Sequence, residues 1–368
     1  MMDNTIYMLG LKKEKIDTPA FLIDLDIMEK NINLMSEYCK SANINLRPHT
    51  KHHKSPIIAH KQLQAGAIGI CCQKLGEAEV MVAAGIPEIL ITYEIIGEIK
   101  IKRLMSLCNQ SKIIVTVDSR ENINDLSEAA TSFGVELGIL LDVNVGQNRC
   151  GIEPDNSVIE LAQLITSSKN LNFKGIHAYA GNIQGIINDE ERFQLDKESM
   201  IKTKIAVEKL TSANLPIDIV TAGGTGTYKF TSQYSYITEI QPGSYVFMDG
   251  QYRKVLEDFE ISGTILATII SKPNANRIVL DSGMKTISSD QWPPIIKNFQ
   301  GIEFTSISDE HLTLNIENSD AKELKVGDKI EIIPAHNDTT VNLHTEFFGI
   351  RKDILECVWP ISARAKIR

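Results

Sequence analysis

The sequence lacks the features that mark membrane, secreted and nucleic-acid-binding proteins. No apolar run approaches the roughly 18 residues of a transmembrane helix, and the N-terminus has no apolar signal-peptide core. Lysine and arginine number 38 against 47 aspartates and glutamates, and the net charge of −9 argues against a basic surface for nucleic acid. We therefore expect a cytoplasmic protein that binds neither a membrane nor a nucleic acid.

Cysteine is scarce and has no pattern. The six cysteines lie at positions 39, 71, 72, 108, 150 and 357 of 368 residues. This spacing fits neither a disulfide framework nor a CxxC metal site. We expect buried, reduced thiols, which agrees with a cytoplasmic protein.

What the sequence does contain is a repeated alternation of apolar runs and segments with helical spacing. The apolar runs are "INLRPH" (44–49), "AIGICC" (67–72), "EILITY" (88–93), "KIIVTV" (112–117), "ELGILLDV" (136–143), "FKGIHAY" (173–179), "IDIVTA" (217–222) and "ITEIQPG" (237–243). Helical spacing occurs between most of them, for example in "KLGEAEVMVAAG". Eight such units predict a (β/α)8 barrel of TIM type, which we favour over an open doubly wound sheet.

The pattern changes after about residue 255, where alternating residues and turn pairs predict an antiparallel β domain. We assign residues 22–252 to the barrel, and residues 1–21 plus 253–368 to the β domain. The extended segment "TPAFLIDLD" precedes the first helix, and it is expected to pair with the β domain.

Unusual polar residues follow most of the predicted barrel strands. The stretch "LRPHTKHHKS" (46–55) holds three of the eight histidines and two lysines, and "NVGQNRCG", "HAYAGN", "AGGTGTY" and "QPGSY" follow strands five to eight. The C-terminal ends of barrel strands form the catalytic face. The clustering therefore predicts an active site there.

Two of these segments are expected to bind an anion. Gly224, Thr225 and Gly226 offer backbone amides and a hydroxyl after strand seven, and Gly243 and Ser244 offer more after strand eight. Phosphate sites of barrels lie after these two strands. A phosphate opposite Lys51 at the end of strand one suggests pyridoxal phosphate, with Arg149 beside its phenolic oxygen.

At this point the chain resembles the D-threonine aldolase and D-serine dehydratase family of fold-type III pyridoxal-phosphate enzymes. The resemblance covers nearly the whole length, including "LRPHTKHHKSPIIA", "GICCQKLGEAEVMVAAGI", "QPGSYVFMDGQY", "PAHNDTTVNLH" and "VWPISARAKIR". It implies an alanine-racemase-like barrel and a β domain. It implies that Lys51 carries the cofactor, with Arg149 near its 3′-oxygen, Tyr179 lining its ring, and Gln241 where alanine racemases place an arginine facing the pyridine nitrogen.

The resemblance also implies a divalent metal near the cofactor, bound here by His336 and Asp338. Alternate residues of a strand share a face, so the two side chains are expected to converge on one ion. Dehydratases of the family use a cysteine at the second position and aldolases an aspartate. A hard carboxylate favours Mn²⁺, with Mg²⁺, Ca²⁺ or Co²⁺ as alternatives, and it favours the aldolase.

The resemblance therefore implies retro-aldol cleavage of D-threonine and related D-β-hydroxy-α-amino acids to glycine and an aldehyde, by a homodimeric enzyme. Ala180 replaces the histidine that many aldolases of the family carry there, so His53 and His177 are the candidates for proton transfer. Two alternatives remain: a D-serine or D-threonine dehydratase, and a pyridoxal-phosphate-binding protein without catalysis.

Overall fold

The computed structural model describes residues 8–317 and 320–368. The α-helices are α1 (Leu25–Ser41), α2 (Pro56–Gln64), α3 (Leu75–Ala83), α4 (Glu98–Cys108), α5 (Arg120–Phe133), α6 (Ser157–Ser167), α7 (Asp189–Ser212), α8 (Tyr228–Thr231), α9 (Tyr252–Val255) and α10 (Asn337–Val341). The strands are β1 (Ala20–Asp24), β2 (Asn45–Leu46), β3 (Ile70–Cys72), β4 (Glu88–Ile91), β5 (Lys112–Val117), β6 (Leu137–Asp142), β7 (Leu171–Ala178), β8 (Ile219–Ala222), β9 (Glu239–Ile240), β10 (Gly263–Asn274), β11 (Arg277–Leu280), β12 (Ile295–Ile296), β13 (Ile302–Ile307), β14 (Leu312–Ile316), β15 (Lys329–Ile333), β16 (Glu346–Arg351) and β17 (Ile354–Pro360). Short 3-10 helices lie at Lys13–Lys15, Thr50–His52, Gly181–Ile183, Ser244–Val246 and Asp320–Glu323. Within the described ranges, no helix is both long enough and apolar enough to cross a membrane.

These elements form two compact units. One unit contains the chain up to Ile32 together with Ser244–Arg364, and the other contains Asn33–Gly243 together with Ala365–Arg368. The sequence boundaries at 22 and 252 differ from these divisions. The reason lies at Asn31, whose side-chain amide donates to the carbonyls of Val246 and Glu260 and so joins α1 to the segment before β10.

The eight predicted barrel strands form one parallel sheet in the Asn33–Gly243 unit. Their order is β2-β9-β8-β7-β6-β5-β4-β3. The two ends of this order also meet, because the Ile68 N–H donates to the Leu46 carbonyl and the Cys71 N–H to the Pro48 carbonyl, each at 2.9 Å. The sheet therefore closes on itself, which confirms the predicted (β/α)8 barrel.

The first and last barrel strands are shorter than predicted. β2 ends at Leu46 and β9 ends at Ile240, each two residues before a proline, Pro48 or Pro242. Proline has no N–H to continue a ladder, so both strands stop early. β5 coincides with its predicted range.

The barrel interior combines an apolar layer with one buried ion pair. Cys71, Leu90, Ile114 and Leu140 are buried against one another, one from each of β3 to β6. The Arg47 guanidinium donates from Nε and Nη2 to Glu239 at 2.9 and 3.0 Å, and both side chains are almost fully buried. Removing one partner of such a pair costs about 3–5 kcal/mol, because the other charge stays buried.

Two of the barrel helices begin and end at residues whose chemistry explains the boundary. The side chains of Ser119 and Asn188 accept the backbone N–H groups of Asn122 and Glu191 at the starts of α5 and α7. Gly134 ends α5 with a φ of 65°, a left-handed conformation that glycine adopts without strain.

The second unit is built on a mostly antiparallel sheet. Its main path is β13-β14-β11-β10-β1-β16-β17, and β15 pairs with β10 and β12. β1 lies between β10 and β16, which confirms that the segment "TPAFLIDLD" pairs with the β domain. A buried aromatic cluster of Phe21, Phe247 and Phe347, with ring centroids 5.1 to 5.8 Å apart, fills its core.

Candidate active site

Lys51 lies on a short 3-10 helix that follows β2. The His49 side chain caps this helix by accepting the Lys51 backbone N–H, and its Nε2 is 3.1 Å from the Thr92 hydroxyl. The Thr50 hydroxyl donates to the Cys71 carbonyl at 2.9 Å. These contacts join the Lys51 backbone to the neighbouring strands β3 and β4, so the segment is a fixed part of the barrel.

Lys54 and Lys74 are engaged in other contacts. The Lys54 ammonium is buried and lies 2.5 Å from the Glu77 carboxylate. The Lys74 ammonium lies 3.7 Å from the centroid of the Tyr93 ring, a cation–π contact. These contacts hold the Lys54 and Lys74 ammonium groups in place, and the assignment of Lys51 as the cofactor lysine stays a prediction.

His53 has a structural environment. Its Nδ1 accepts the Ser55 N–H at 3.1 Å, and its Nε2 is 3.2 Å from the Gln62 side-chain oxygen on α2. Nδ1 thus contacts the residue before α2, and Nε2 contacts the last turn of this helix. The catalytic role of His53 stays a prediction, and these contacts favour His177 over it.

His177, Tyr179 and Arg149 lie close together at the ends of β6 and β7. The His177 and Tyr179 ring centroids are 6.3 Å apart, and the Arg149 guanidinium carbon is 6.0 Å from the Tyr179 ring centroid. His177 Nδ1 lies 2.6 Å from an Asp142 carboxylate oxygen. His177 Nε2 is buried and has no hydrogen-bond partner among the described residues.

The glycine loop after β8 is more tightly bound to the protein than the sequence suggested. The Gly226 N–H donates to the Gln184 side-chain oxygen at 3.0 Å, and the Gly224 N–H is 3.4 Å from the Thr227 hydroxyl. Both amides thus have acceptors within the protein, and the anion-binding role of the loop stays a prediction. Gln184 was missed because no sequence motif marks it.

The loop lies beside Tyr179. A Cβ atom added to Gly224 would lie 3.3 Å from a carbon of the Tyr179 ring and 2.6 Å from the Gln184 side-chain oxygen. A side chain at position 224 would therefore require the Gln184 side chain to move, and the loop is in close contact with the Tyr179 ring. Thr225 lies in the same loop and is buried.

The segment after β9 also lies close to the lysine helix. A Cβ atom added to Gly243 would be 2.8 Å from the His49 carbonyl oxygen, so only glycine allows this approach. The Gln241 amide donates to the Thr221 hydroxyl on β8 at 3.1 Å. Ser244 begins the other unit, where it is buried and starts the 3-10 helix Ser244–Val246.

The barrel residues fit pyridoxal phosphate. They provide a lysine, an arginine beside a tyrosine, and a glycine loop with two threonine hydroxyls. They also provide a buried imidazole nitrogen that has no hydrogen-bond partner among the described residues. A lysine amine, an aromatic support and hydroxyl and amide donors are the groups that this cofactor needs.

The predicted metal ligands lie in the other unit. The expectation that His336 and Asp338 share the face of a strand is wrong. His336 is the residue immediately before α10, and Asp338 lies in the first turn of this helix. The Asp249 carboxylate accepts the Asn337 N–H at 3.1 Å and so stabilises the helix start from a distant segment. The ligand role itself stays a prediction.

The His336 ring is held by a carboxylate that the sequence analysis did not identify. His336 Nδ1 is 2.6 Å from an Asp290 oxygen, and Asp290 also accepts the hydroxyls of Ser288 and Thr339. Burial by itself lowers the pKa of His336, but the negative charges of Asp338 and Asp290 raise it above its ordinary value.

The donor set suits a hard divalent cation with most of its ligands from solvent or substrate. An imidazole whose other nitrogen is bound to a carboxylate, together with a second carboxylate, is a common arrangement at metal sites. In residues 8–317 and 320–368, no group of three or more histidine, cysteine, aspartate or glutamate side chains forms a closed metal site.

Comparison with known proteins identifies the family. The alanine racemase N-terminal domain family matches residues 23–251, and a putative serine dehydratase domain matches residues 262–350. The chain is 38% identical to a D-threonine aldolase from an Arthrobacter species, over 95% of this chain and 93% of that protein. It is 36% identical to a 3-hydroxy-D-aspartate aldolase from Paracoccus denitrificans (strain Pd 1222), over 97% of this chain and 94% of that protein.

A solved structure gives the same result. The crystal structure of D-threonine aldolase from Filomicrobium marinum matches with a TM-score of 0.95 and 35% identity, covering 98% of each chain. The chain therefore belongs to the alanine-racemase-like family that includes D-threonine aldolase. It is a lyase, and family membership implies pyridoxal phosphate as its cofactor. The alternative of a non-catalytic binding protein is set aside.

Proposed function

We propose that the protein catalyses retro-aldol cleavage of D-threonine and related D-β-hydroxy-α-amino acids to glycine and an aldehyde. One observation carries the proposal. Lys51 follows β2, and His177 and the Arg149–Tyr179 pair lie at the ends of the neighbouring strands β6 and β7 of the same closed barrel, whose relatives include two aldolases.

Each barrel residue has a distinct part in this reaction. Lys51 would hold the cofactor covalently, Tyr179 would support its ring, and Arg149 would bind its phenolic oxygen. The Thr225 hydroxyl and the amides of Gly224 and Gly243 would bind its phosphate. When bound, pyridoxal phosphate supplies an electron sink for the carbanion that bond cleavage leaves on the amino acid. His177 would accept the proton of the substrate hydroxyl.

A divalent metal is the second proposed cofactor. His336 and Asp338 would hold it, and Mn²⁺ is favoured because a carboxylate and an imidazole suit this ion, with Mg²⁺, Ca²⁺ and Co²⁺ as alternatives. When bound, the ion supplies a Lewis acid for an oxygen atom.

The second candidate function is dehydration of a D-β-hydroxy-amino acid to a 2-oxo acid and ammonia. It is supported by the match of residues 262–350 to a putative serine dehydratase domain. Asp338 favours the aldolase instead. A carboxylate at this position gives a harder metal site than the cysteine that dehydratases of the family are expected to have there.

Product analysis separates the two functions. Purified protein loaded with pyridoxal phosphate and Mn²⁺ is incubated with D-threonine, and glycine plus acetaldehyde is assayed separately from 2-oxobutyrate plus ammonia. We expect glycine and acetaldehyde, with L-threonine unreacted as the control. Predominant 2-oxobutyrate would assign the dehydratase function instead.

The assembly and location are part of the proposal. We propose that the protein is a cytoplasmic homodimer and that the molecule it binds is its D-amino acid substrate. Light scattering should give twice the chain mass of 40.9 kDa, and a monomer mass would refute the dimer.

A further inference from the structure

Titratable side chains from four consecutive strand ends form a connected cluster in the barrel. Glu94 follows β4, Asp118 follows β5, Asp142 ends β6, and His177 lies one residue before the end of β7. His177 Nδ1 is 2.6 Å from Asp142, and the Asp142 carboxyl is hydrogen-bonded to Glu94. The exposed Cys150 thiol is hydrogen-bonded to Glu94. The cluster therefore runs from the surface to a buried imidazole.

The two linked carboxyl groups share a proton. Two carboxylates in hydrogen-bond contact cannot both ionise without strong repulsion. Burial, followed by the charges of Asp142 and Asp118, raises the pKa of Glu94 to about 7. Glu94 therefore keeps a proton up to about neutral pH, and it can donate this proton to the Asp142 carboxylate, which also contacts His177 Nδ1.

The Asp142 carboxylate determines which imidazole nitrogen of His177 carries a proton. A carboxylate only accepts hydrogen bonds, so the proton of neutral His177 must lie on Nδ1. Nε2 then carries a lone pair, and this atom is buried without a partner in the described part of the chain. Two other charged groups lie at the cluster. Asp118 accepts the Gly151 N–H at 3.1 Å. The positive charge of Arg149 partly offsets the rise in the pKa of the Cys150 thiol that burial and Glu94 cause.

We propose that Asp142 is a positioning residue that keeps the His177 proton on Nδ1 and leaves Nε2 as the proton acceptor of the site, and that Glu94, which is hydrogen-bonded to Asp142, supports Asp142 in this role. This inference rests on the proposed function, because that function supplies the substrate hydroxyl whose proton His177 would accept. It explains why the barrel has a proton-transfer group although Ala180 has no titratable side chain.

The test measures the tautomer of His177 and the rate together. The holoenzyme with ¹⁵N-labelled histidine is studied by NMR near pH 6.5, with a His177→Gln variant to assign the signals. We expect a protonated Nδ1 and an unprotonated Nε2 in the wild type. Asp142→Asn allows the amide to donate to Nδ1, so the proton should move to Nε2. Its kcat should fall about 10²–10⁴-fold, with little change in KM and with the cofactor absorbance retained.

Two further variants distinguish positioning from a structural effect. Glu94→Gln keeps a neutral hydrogen-bond donor beside Asp142, so the wild-type tautomer should remain, and it should persist above pH 7. Asp118→Asn removes a carboxylate of the same cluster that has no hydrogen bond to His177 in the described residues, and the tautomer should also stay unchanged.

A wild-type His177 protonated on Nε2, or an Asp142→Asn enzyme with the wild-type tautomer and kcat, overturns the inference. If no D-amino acid is turned over, the proposed function fails. The tautomer in wild-type and variant holoenzyme still decides the role of Asp142, even if one variant does not fold.

Discussion

At the scale of single residues, two lysines near the mouth of the barrel are held by contacts of their ammonium groups. Lys54 is paired with Glu77 of α3, and Lys74 lies on the Tyr93 ring. A buried paired lysine is costly to release, because its carboxylate partner would be left uncompensated.

We predict that borohydride fixes the cofactor onto Lys51, as measured by peptide mapping of the reduced holoenzyme. Lys51→Ala should lose the absorbance band of the bound cofactor and at least about 10³-fold in activity, because a covalent catalytic group is removed. Lys74→Ala is the matched control and should keep the band. A label on Lys54 or Lys74 would show that the assignment is wrong.

Asp290 is the residue that orients His336. Its carboxylate accepts hydrogen bonds from two hydroxyls and lies 2.6 Å from His336 Nδ1, which directs Nε2 away from the carboxylate. Such carboxylates fix the ring of a ligating histidine and increase its basicity as a ligand.

For Asp290→Asn we expect a fall of about 10–100-fold in Mn²⁺ affinity, measured by electron paramagnetic resonance of the free ion. Glu303→Gln, which removes an exposed carboxylate of β13, is the control and should bind as the wild type does. Equal affinity of Asp290→Asn and wild type would refute the orienting role. Absence of Mn²⁺ binding in the wild type would refute the metal site itself.

At the scale of elements, α7 holds the glycine loop that follows β8. The Arg192 guanidinium donates to the Gly226 carbonyl at 2.9 Å, and the Thr231 hydroxyl of α8 donates to Asp196 at 2.7 Å. Thr231 in turn contacts the Thr227 hydroxyl at 3.0 Å. The loop therefore depends on a long helix that the sequence pattern did not connect with the site.

This arrangement predicts a pH dependence of stability. Burial raises the pKa of Asp196 to about 6, although hydrogen bonds from Thr231 and Thr227 lower it. In the unfolded chain this pKa is about 3.9. The folded state thus binds the proton more tightly, and the stabilisation is complete below about pH 4 and is lost as the pH rises through 6.

We expect Asp196→Asn to gain stability relative to the wild type as the pH rises from 4.5 to 7.5. The gain should be on the order of 2 kcal/mol, measured by urea unfolding across the pH series. Asp125→Asn, which changes an exposed carboxylate of α5, should follow the wild-type curve. Parallel curves for Asp196→Asn and wild type would contradict the buried, protonatable carboxyl.

At the scale of the whole molecule, the proposed cofactor residues and the proposed metal ligands belong to different compact units. Lys51, His177 and the glycine loop lie in Asn33–Gly243, and His336 and Asp338 lie in Ser244–Arg364. Loss of the metal should therefore leave the cofactor environment intact.

We predict that a chelator lowers the rate of D-threonine cleavage by about 10²-fold or more, because the Lewis acid is removed. The cofactor absorbance and the far-ultraviolet circular dichroism should not change, and added Mn²⁺ should restore the rate. A chelator-treated enzyme of unchanged rate would refute the metal's role. A loss of cofactor absorbance would show that the metal also helps to hold the cofactor.

The architecture could be predicted from the sequence, whereas Lys51 as the cofactor lysine stays a prediction. The eight apolar runs predicted the barrel, because strands buried on both faces must be continuously apolar whatever surrounds them. β5 was predicted to the residue, and the placement of Lys51 after β2 followed from the strand order alone. The early ends of β2 and β9 were not predicted, although Pro48 and Pro242 in the sequence explain them.

Only the tertiary structure decided which polar groups meet. Asp142 and His177 are 35 residues apart, and they come together because β6 and β7 pair in a register that places them side by side. Asp290 and His336 are 46 residues apart, and Gln184 and Gly226 are 42 apart. Such partners depend on the register of strands and the course of loops, which local periodicity does not contain. The protonation of Glu94 depends on burial among other carboxylates, so it exists only once the barrel has closed.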